Sequence, residues 1–124
     1  MKTQQKNRYG LRESDLYLII AASKAIPEIE QLLLFGSRAK GTEKPGSDID
    51  LAIKGKAVTY DTVLQLSDRL NEQLPLPYFF DVINYHSIQE PRLTEHIDNA
   101  GIVIFNRRRE YPHISRINEE TVRE

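Results

Sequence analysis

Between Leu32 and Ile53 the chain reads LLLFGSRAKGTEKPGSDIDLAI, and this stretch leaves few folds open. The run Leu32, Leu33, Leu34, Phe35 is too short for a core helix and stops at a glycine, so it predicts a strand buried on both faces. DIDLAI then alternates, with Asp48 and Asp50 on one face and Ile49, Leu51 and Ile53 on the other. One strand needs cover above and below, while the next brings two carboxylates to its entry. A thin sheet with helices on it and an acidic rim satisfies both.

The flanking sequence supplies those helices. Ser14 offers an N-cap, Asp15 suits the positive end of a helix, and Leu16, Ile19, Ile20 and Ser23 share a face, which predicts a helix over 15–25 that ends at Pro27. Asp61 is a candidate cap for a helix over 61–73, where Val63, Leu66 and Leu70 recur at helical spacing until LPLP breaks the pattern. YFFDVINY, rich in aromatic and β-branched residues, predicts a strand with Asp81 in its middle. Pro91 and Gly101 bracket a short helix, and IVIF makes a last strand. The order helix, strand, strand, helix, strand, helix, strand predicts a small mixed α/β (α+β) sheet with helices packed on it. Residues 1–13 are expected to form a flexible arm, 14–106 the domain, and 107–124 a charged extension.

Charge narrows the function classes. Seventeen basic against eighteen acidic residues leave a formal charge of −1 over 124 residues, with no footprint for bulk binding to a polyanion. The chain has no cysteine, hence no disulfide framework and no thiolate metal site, which suits a reducing cytoplasm. Leu16–Ala25 is apolar enough to suggest a secretory or membrane segment, but Glu13 and Asp15 precede it and it is too short to span a bilayer, so a buried helix is expected instead. His86, His96 and His113 fit no zinc pattern and read as surface or helix-end residues.

Asp48, Asp50 and Asp81 remain, on strands that carry no lysine or arginine to neutralise them. A carboxylate in a core strand costs several kcal/mol unless it meets a proton, a basic partner or a cation. Three such oxygen donors favour a hard divalent ion, Mg²⁺ or Mn²⁺, and the Asp-x-Asp spacing points alternate side chains to one face about 7 Å apart. Upstream, Gly36 and Gly41 permit close backbone approach to an anion, Ser37 adds a hydroxyl, and Arg38 and Lys40 add charge. The stretch lacks the Gly-Lys-Ser/Thr ending of a Walker loop, the glycine of a calcium loop and any GxGxxG.

These residues carry a resemblance. GSRAKGTEKPGSDIDL is similar to the motif of the DNA polymerase beta-type nucleotidyltransferases: Gly-Ser (Gly36, Ser37), ten residues, Asp-x-Asp (Asp48, Asp50), and a later strand acid, here Asp81 in FFDVINY. The shortness resembles the minimal nucleotidyltransferases, the MNT antitoxins of the MntA type paired with HEPN-domain ribonuclease toxins, and the likeness runs from Leu16 to Phe105. Lys40 stands where an arginine is expected, with its charge kept.

The resemblance implies an antitoxin that transfers AMP from ATP to a toxin hydroxyl, a tyrosine above all, using two Mg²⁺ ions (Mn²⁺ as the alternative). Asp48 and Asp50 would bind both ions. Asp81 would complete the catalytic one and help deprotonate the hydroxyl, while Gly36, Ser37, Arg38 and Lys40 would hold the triphosphate. It leaves open neutralisation by binding alone, or a small-molecule, aminoglycoside-type enzyme with a separate helical subunit. Ile114, Ile117 and Val122 have no place in the core, so the 107–124 tail is expected to pack on the toxin. No membrane partner is expected.

Overall fold

The computed structural model describes residues 9–107. Helix α1 (Glu13–Lys24) precedes strand β1 (Gln31–Phe35), a single-turn helix α2 (Ser37–Lys40) and strand β2 (Ile49–Lys54). Helix α3 (Tyr60–Asp68), which runs on into a π-helical turn over Arg69–Gln73, leads to strand β3 (Phe80–Asn84). Helix α4 (Pro91–Ala100) and strand β4 (Ile102–Asn106) complete the fold. This is the mixed α/β arrangement expected from the sequence.

The sheet order is β3-β2-β1-β4, with β1 antiparallel to both neighbours and β2 parallel to β3. A parallel pair requires a long crossover, and α3 provides it. Because β1 is interior and covered on both faces, Leu32 through Phe35 are all buried. On one face Leu32, Leu34, Ile49, Leu51, Ile53, Phe80 and Val82 pack with Ile19 of α1 and Val63, Leu66 and Leu70 of the α3 segment. The other face is smaller: Leu33, Phe35 and Ala52 meet Ile97 of α4. Alternation along β2 and β3 therefore sends Asp50 and Asp81 to this second face. In the parallel register they stand side by side.

Several local expectations are corrected. Helix α1 begins at Glu13 with Arg12 at the N-cap, so Ser14 lies inside the helix. Asp15 does more than face the helix's positive end: it is buried, accepting from Arg12 Nε (3.0 Å) and from the Tyr78 hydroxyl (2.6 Å). That bond ties the segment before β3 to α1. Thr59, not Asp61, caps α3, with its N–H donated to the Thr62 hydroxyl at 3.0 Å. The π-helical turn brings Asn71 level with the open edge of β3, where its side-chain amide donates to the Phe80 carbonyl (3.0 Å) and accepts the Phe80 N–H (2.8 Å).

At the two expected domain limits the structure describes only part of each flanking segment. Of the arm expected over 1–13, residues 1–8 lie outside the described residues, while Leu11 is fully buried in the main core. Of the expected extension, 108–124, with Ile114, Ile117 and Val122, lie outside the described residues, but Arg107 belongs to the fold. Its N–H donates to the Glu30 carbonyl (2.8 Å), its Nε to Ile29 (2.9 Å) and its Nη2 to Ile26 (3.0 Å) and Lys24 (3.2 Å). One side chain thus satisfies the carbonyls where α1 ends. Arg107→Ala is expected to cost about 1–2 kcal/mol, lowering the melting temperature by several degrees in a thermal scan. Among the described residues no helix is long and apolar enough to cross a membrane.

Candidate active site

Gly36 ends β1 at φ 76°, ψ −155°, a region that only glycine enters without strain. Space demands glycine as well, because a Cβ at this position would overlap the Asp50 carboxylate. The glycine-serine turn and the second aspartate of the Asp-x-Asp pair are therefore in direct apposition. The Gly36 carbonyl accepts from the Lys40 N–H (3.2 Å), and its own N–H donates to His96 Nε2 (3.0 Å). Ser37 opens α2 and is half-buried, its carbonyl accepting the Thr42 N–H at 2.9 Å. Gly41 turns the chain out of α2 at φ 77°.

The carboxylates lie at the same end of the sheet. Asp50 and Asp81 are in register on strands about 4.8 Å apart, and Asp48 precedes β2 by one residue. Asp50 is half-buried, whereas Asp48 and Asp81 are exposed. Burial pushes the Asp50 carboxyl above the ordinary carboxylate range, and the charges of Asp81 and then Asp48 push it further, with the Arg38 guanidinium opposing. The three acids feel one another through Asp50. Their side chains do not converge on a point: among the described residues no three histidine, aspartate or glutamate side chains stand as a formed metal-binding group. The donor set nonetheless suits a hard cation, since the group it would meet is a carboxylate whose proton affinity is raised by two neighbouring anions. A surface cavity of about 400 Å³ opens beside Asp48, walled by Gly46, Ser47, Glu72, Tyr78 and Phe79.

Arg38, a candidate phosphate ligand by sequence, lies inside the fold. Its side chain is 4 % exposed, and Nη1 donates to the Tyr9 (2.9 Å) and Gly10 (3.3 Å) carbonyls, Nη2 to the Ser47 carbonyl (2.8 Å). The guanidinium carbon lies 5.4 Å from the Tyr78 ring centre. The cation expected to lean on a phosphate is turned inward, because a planar fork of donors satisfies three backbone carbonyls at once. Lys40 is exposed on α2.

Residues 18–110 match the family described as "Polymerase beta, Nucleotidyltransferase". The chain belongs to that nucleotidyltransferase family. A toxin-antitoxin crystal structure with AMP-PNP shares its fold at a TM-score of 0.61 and 22% identity, over 81% of this chain and 77% of that one. A tri-AMPylated Shewanella oneidensis HEPN toxin in complex with MNT antitoxin gives 0.59 and 19%, over 79% and 75%. The toxin-antitoxin MntA-HepT gives 0.60 and 19%, over 80% and 76%. No curated protein matches the chain.

In this nucleotidyltransferase the fold gathers Gly36, Ser37, Asp48, Asp50 and Asp81 at one sheet end and leaves Arg38 in the interior. His96, expected from the sequence on the surface or at a helix end, also belongs to this end of the sheet. The ring instead sits edge-on to Phe35, with centroids 6.0 Å apart, and holds the Gly36 N–H. Its partner is sixty residues away in the chain, so no local pattern announces it. The one available signal was its position beside Ile97, the residue that anchors α4 to the sheet.

Proposed function

We propose that this nucleotidyltransferase moves AMP from ATP to a hydroxyl, a tyrosine above all, on a HEPN-type toxin and so acts as its antitoxin. The observation that carries this reading is the apposition of Asp50 with Gly36 on one side and Asp81 on the other. The glycine-serine turn receives the terminal phosphates, Ser37 offering its hydroxyl and Lys40 standing exposed at the same turn with a cationic charge. Asp81, exposed on an edge strand, is open to an acceptor carried by another protein, and it takes the acceptor proton. The acceptor oxygen bonds to the α-phosphorus as the bond to the β-phosphate oxygen breaks, and pyrophosphate departs. Asp48, Asp50 and Asp81 would hold Mg²⁺, whose charge would stabilise the attacking and leaving oxygens. The neighbours include a toxin-antitoxin structure with AMP-PNP and one whose HEPN toxin is tri-AMPylated, which supports the direction of transfer by similarity of fold.

One observation favours a second reading, neutralisation by occlusion: the three carboxylates do not stand as a ready-made metal group. Incubation with ATP, Mg²⁺ and a HEPN protein encoded beside this chain, followed by intact-mass spectrometry, separates the two. Transfer predicts a gain of one or more AMP units on the toxin, abolished in the Asp48→Ala, Asp50→Ala double variant. An unmodified toxin that the double variant silences as fully as the natural protein would leave occlusion as the function.

A further inference from the structure

We infer that His96 is a positioning residue of the transfer site: through the Gly36 N–H it fixes the glycine-serine turn against Asp50 and leaves the phosphate contacts to Ser37. The inference rests on the nucleotidyl-transfer reading of this site.

Gly36 lies where β1 ends, in a conformation that glycine can leave as easily as enter. A phosphate-binding turn with that freedom would lose conformational entropy on every binding event unless something holds it beforehand. Two contacts do so. The Gly36 carbonyl is held by Lys40 within α2, and the N–H is held by His96 Nε2. The first bond is internal to the turn and moves with it. The second ties the turn to the body of the fold.

His96 is suited to that task because it is itself immobilised. Its neighbour Ile97 is 1 % exposed in the second core, and its ring packs edge-on against Phe35, the residue just before the glycine it binds. Gly36 is thus pinned between an imidazole and the Asp50 carboxylate, and a shift of the turn in either direction meets one of them. An N–H given to an imidazole is not free for a phosphate oxygen, so the turn contributes shape at Gly36 and hydrogen bonding at Ser37. Accepting the N–H also requires the lone pair on Nε2, which puts the ring proton on Nδ1.

A histidine present only for packing makes different predictions, and the choice of substituents separates the two. Glutamine carries an oxygen as many bonds from Cβ as Nε2, asparagine reaches only the place of Nδ1, and leucine fills volume without an acceptor. Binding of a non-hydrolysable ATP analogue with Mg²⁺ is measured by calorimetry for each, alongside melting temperature. His96→Gln should bind within about three-fold of the natural protein, while His96→Asn and His96→Leu should bind about ten-fold more weakly, equivalent to about 1.4 kcal/mol. If the natural protein binds and all three variants match it, or leucine rescues where glutamine does not, His96 only packs and the transfer reading stands without it. If the natural protein binds no nucleotide, both readings fall together. Long-range ¹⁵N–¹H spectra of the unaltered protein give a check that needs no variant: the proton should be on Nδ1, and finding it on Nε2 overturns the inference.

Discussion

Replacing Asp50 with asparagine should stop nucleotidyl transfer and, at the same time, raise the melting temperature of the nucleotide-free protein. Both effects follow from the same electrostatics. Burial first, and then the charges of Asp81 and Asp48, hold the Asp50 carboxyl above its ordinary range. The folded protein therefore binds this proton more tightly than the unfolded chain does, and ionised Asp50 works against folding. That penalty is absent below the unfolded value and complete above the raised one, so stability falls as pH rises through the window between them. Asparagine keeps the shape and removes the charge. The variant should melt higher at neutral pH, and the difference should close on acidification as the natural side chain takes up its proton. Loss of a carboxylate proposed to hold Mg²⁺ should lower the transfer rate by about 10³-fold or more. Magnesium should raise the melting temperature of the natural protein and have little effect on the variant. A variant that melts lower at neutral pH, or keeps its rate within about ten-fold, would contradict this account of Asp50.

An aspartate that opposes folding also marks where the sequence could be read and where it could not. Gly36, Ser37, Asp48 and Asp50 were legible because both constraints on them are local: the strand period decides which face a residue takes, and the turn length decides what meets the strand end. Asp81 was legible one strand later because the apolar alternation of YFFDVINY fixes its face in the same way. The same period carried the sheet, since a run of four apolar residues and one strictly alternating strand leave little choice of layer.

Direction, partner and ends were not legible. The sequence gives Arg38 a charge, but whether the guanidinium faces phosphate or interior depends on carbonyls at Tyr9, Gly10 and Ser47 that only the folded chain brings within reach. Ser14 and Asp61 are good caps by composition, yet helix ends are placed by tertiary contacts as much as by propensity, and here Asp15 is drawn inward by Tyr78. The contacts at the two ends were hidden for a similar reason. Leu11 and Arg107 look like the edges of polar tails, and each is held by groups distant in sequence.

Arg38 is the residue whose folded surroundings differ most from what its sequence position suggests. If it were a phosphate ligand, Arg38→Met would raise the KM for ATP and leave the fold intact. The structure makes the opposite prediction. The guanidinium joins the segment entering α1, through Tyr9 and Gly10, to Ser47, the residue before the first aspartate of the pair. Methionine keeps much of the aliphatic stem and none of the donors, so the carbonyls lose their partner in a buried place at about 1 kcal/mol each. The total, about 3 kcal/mol, should lower the melting temperature by about 10 °C or somewhat more. Below that temperature the loss should fall on kcat more than on KM, because Asp48 follows Ser47 directly and loses its backbone anchor while the glycine-serine turn keeps its own through His96. Asp50 should in addition hold its proton more tightly, since the Arg38 guanidinium opposes its upward shift. A variant with unchanged melting and a selective rise in KM would return Arg38 to the phosphate, and the inward fork of hydrogen bonds could not then be its main work.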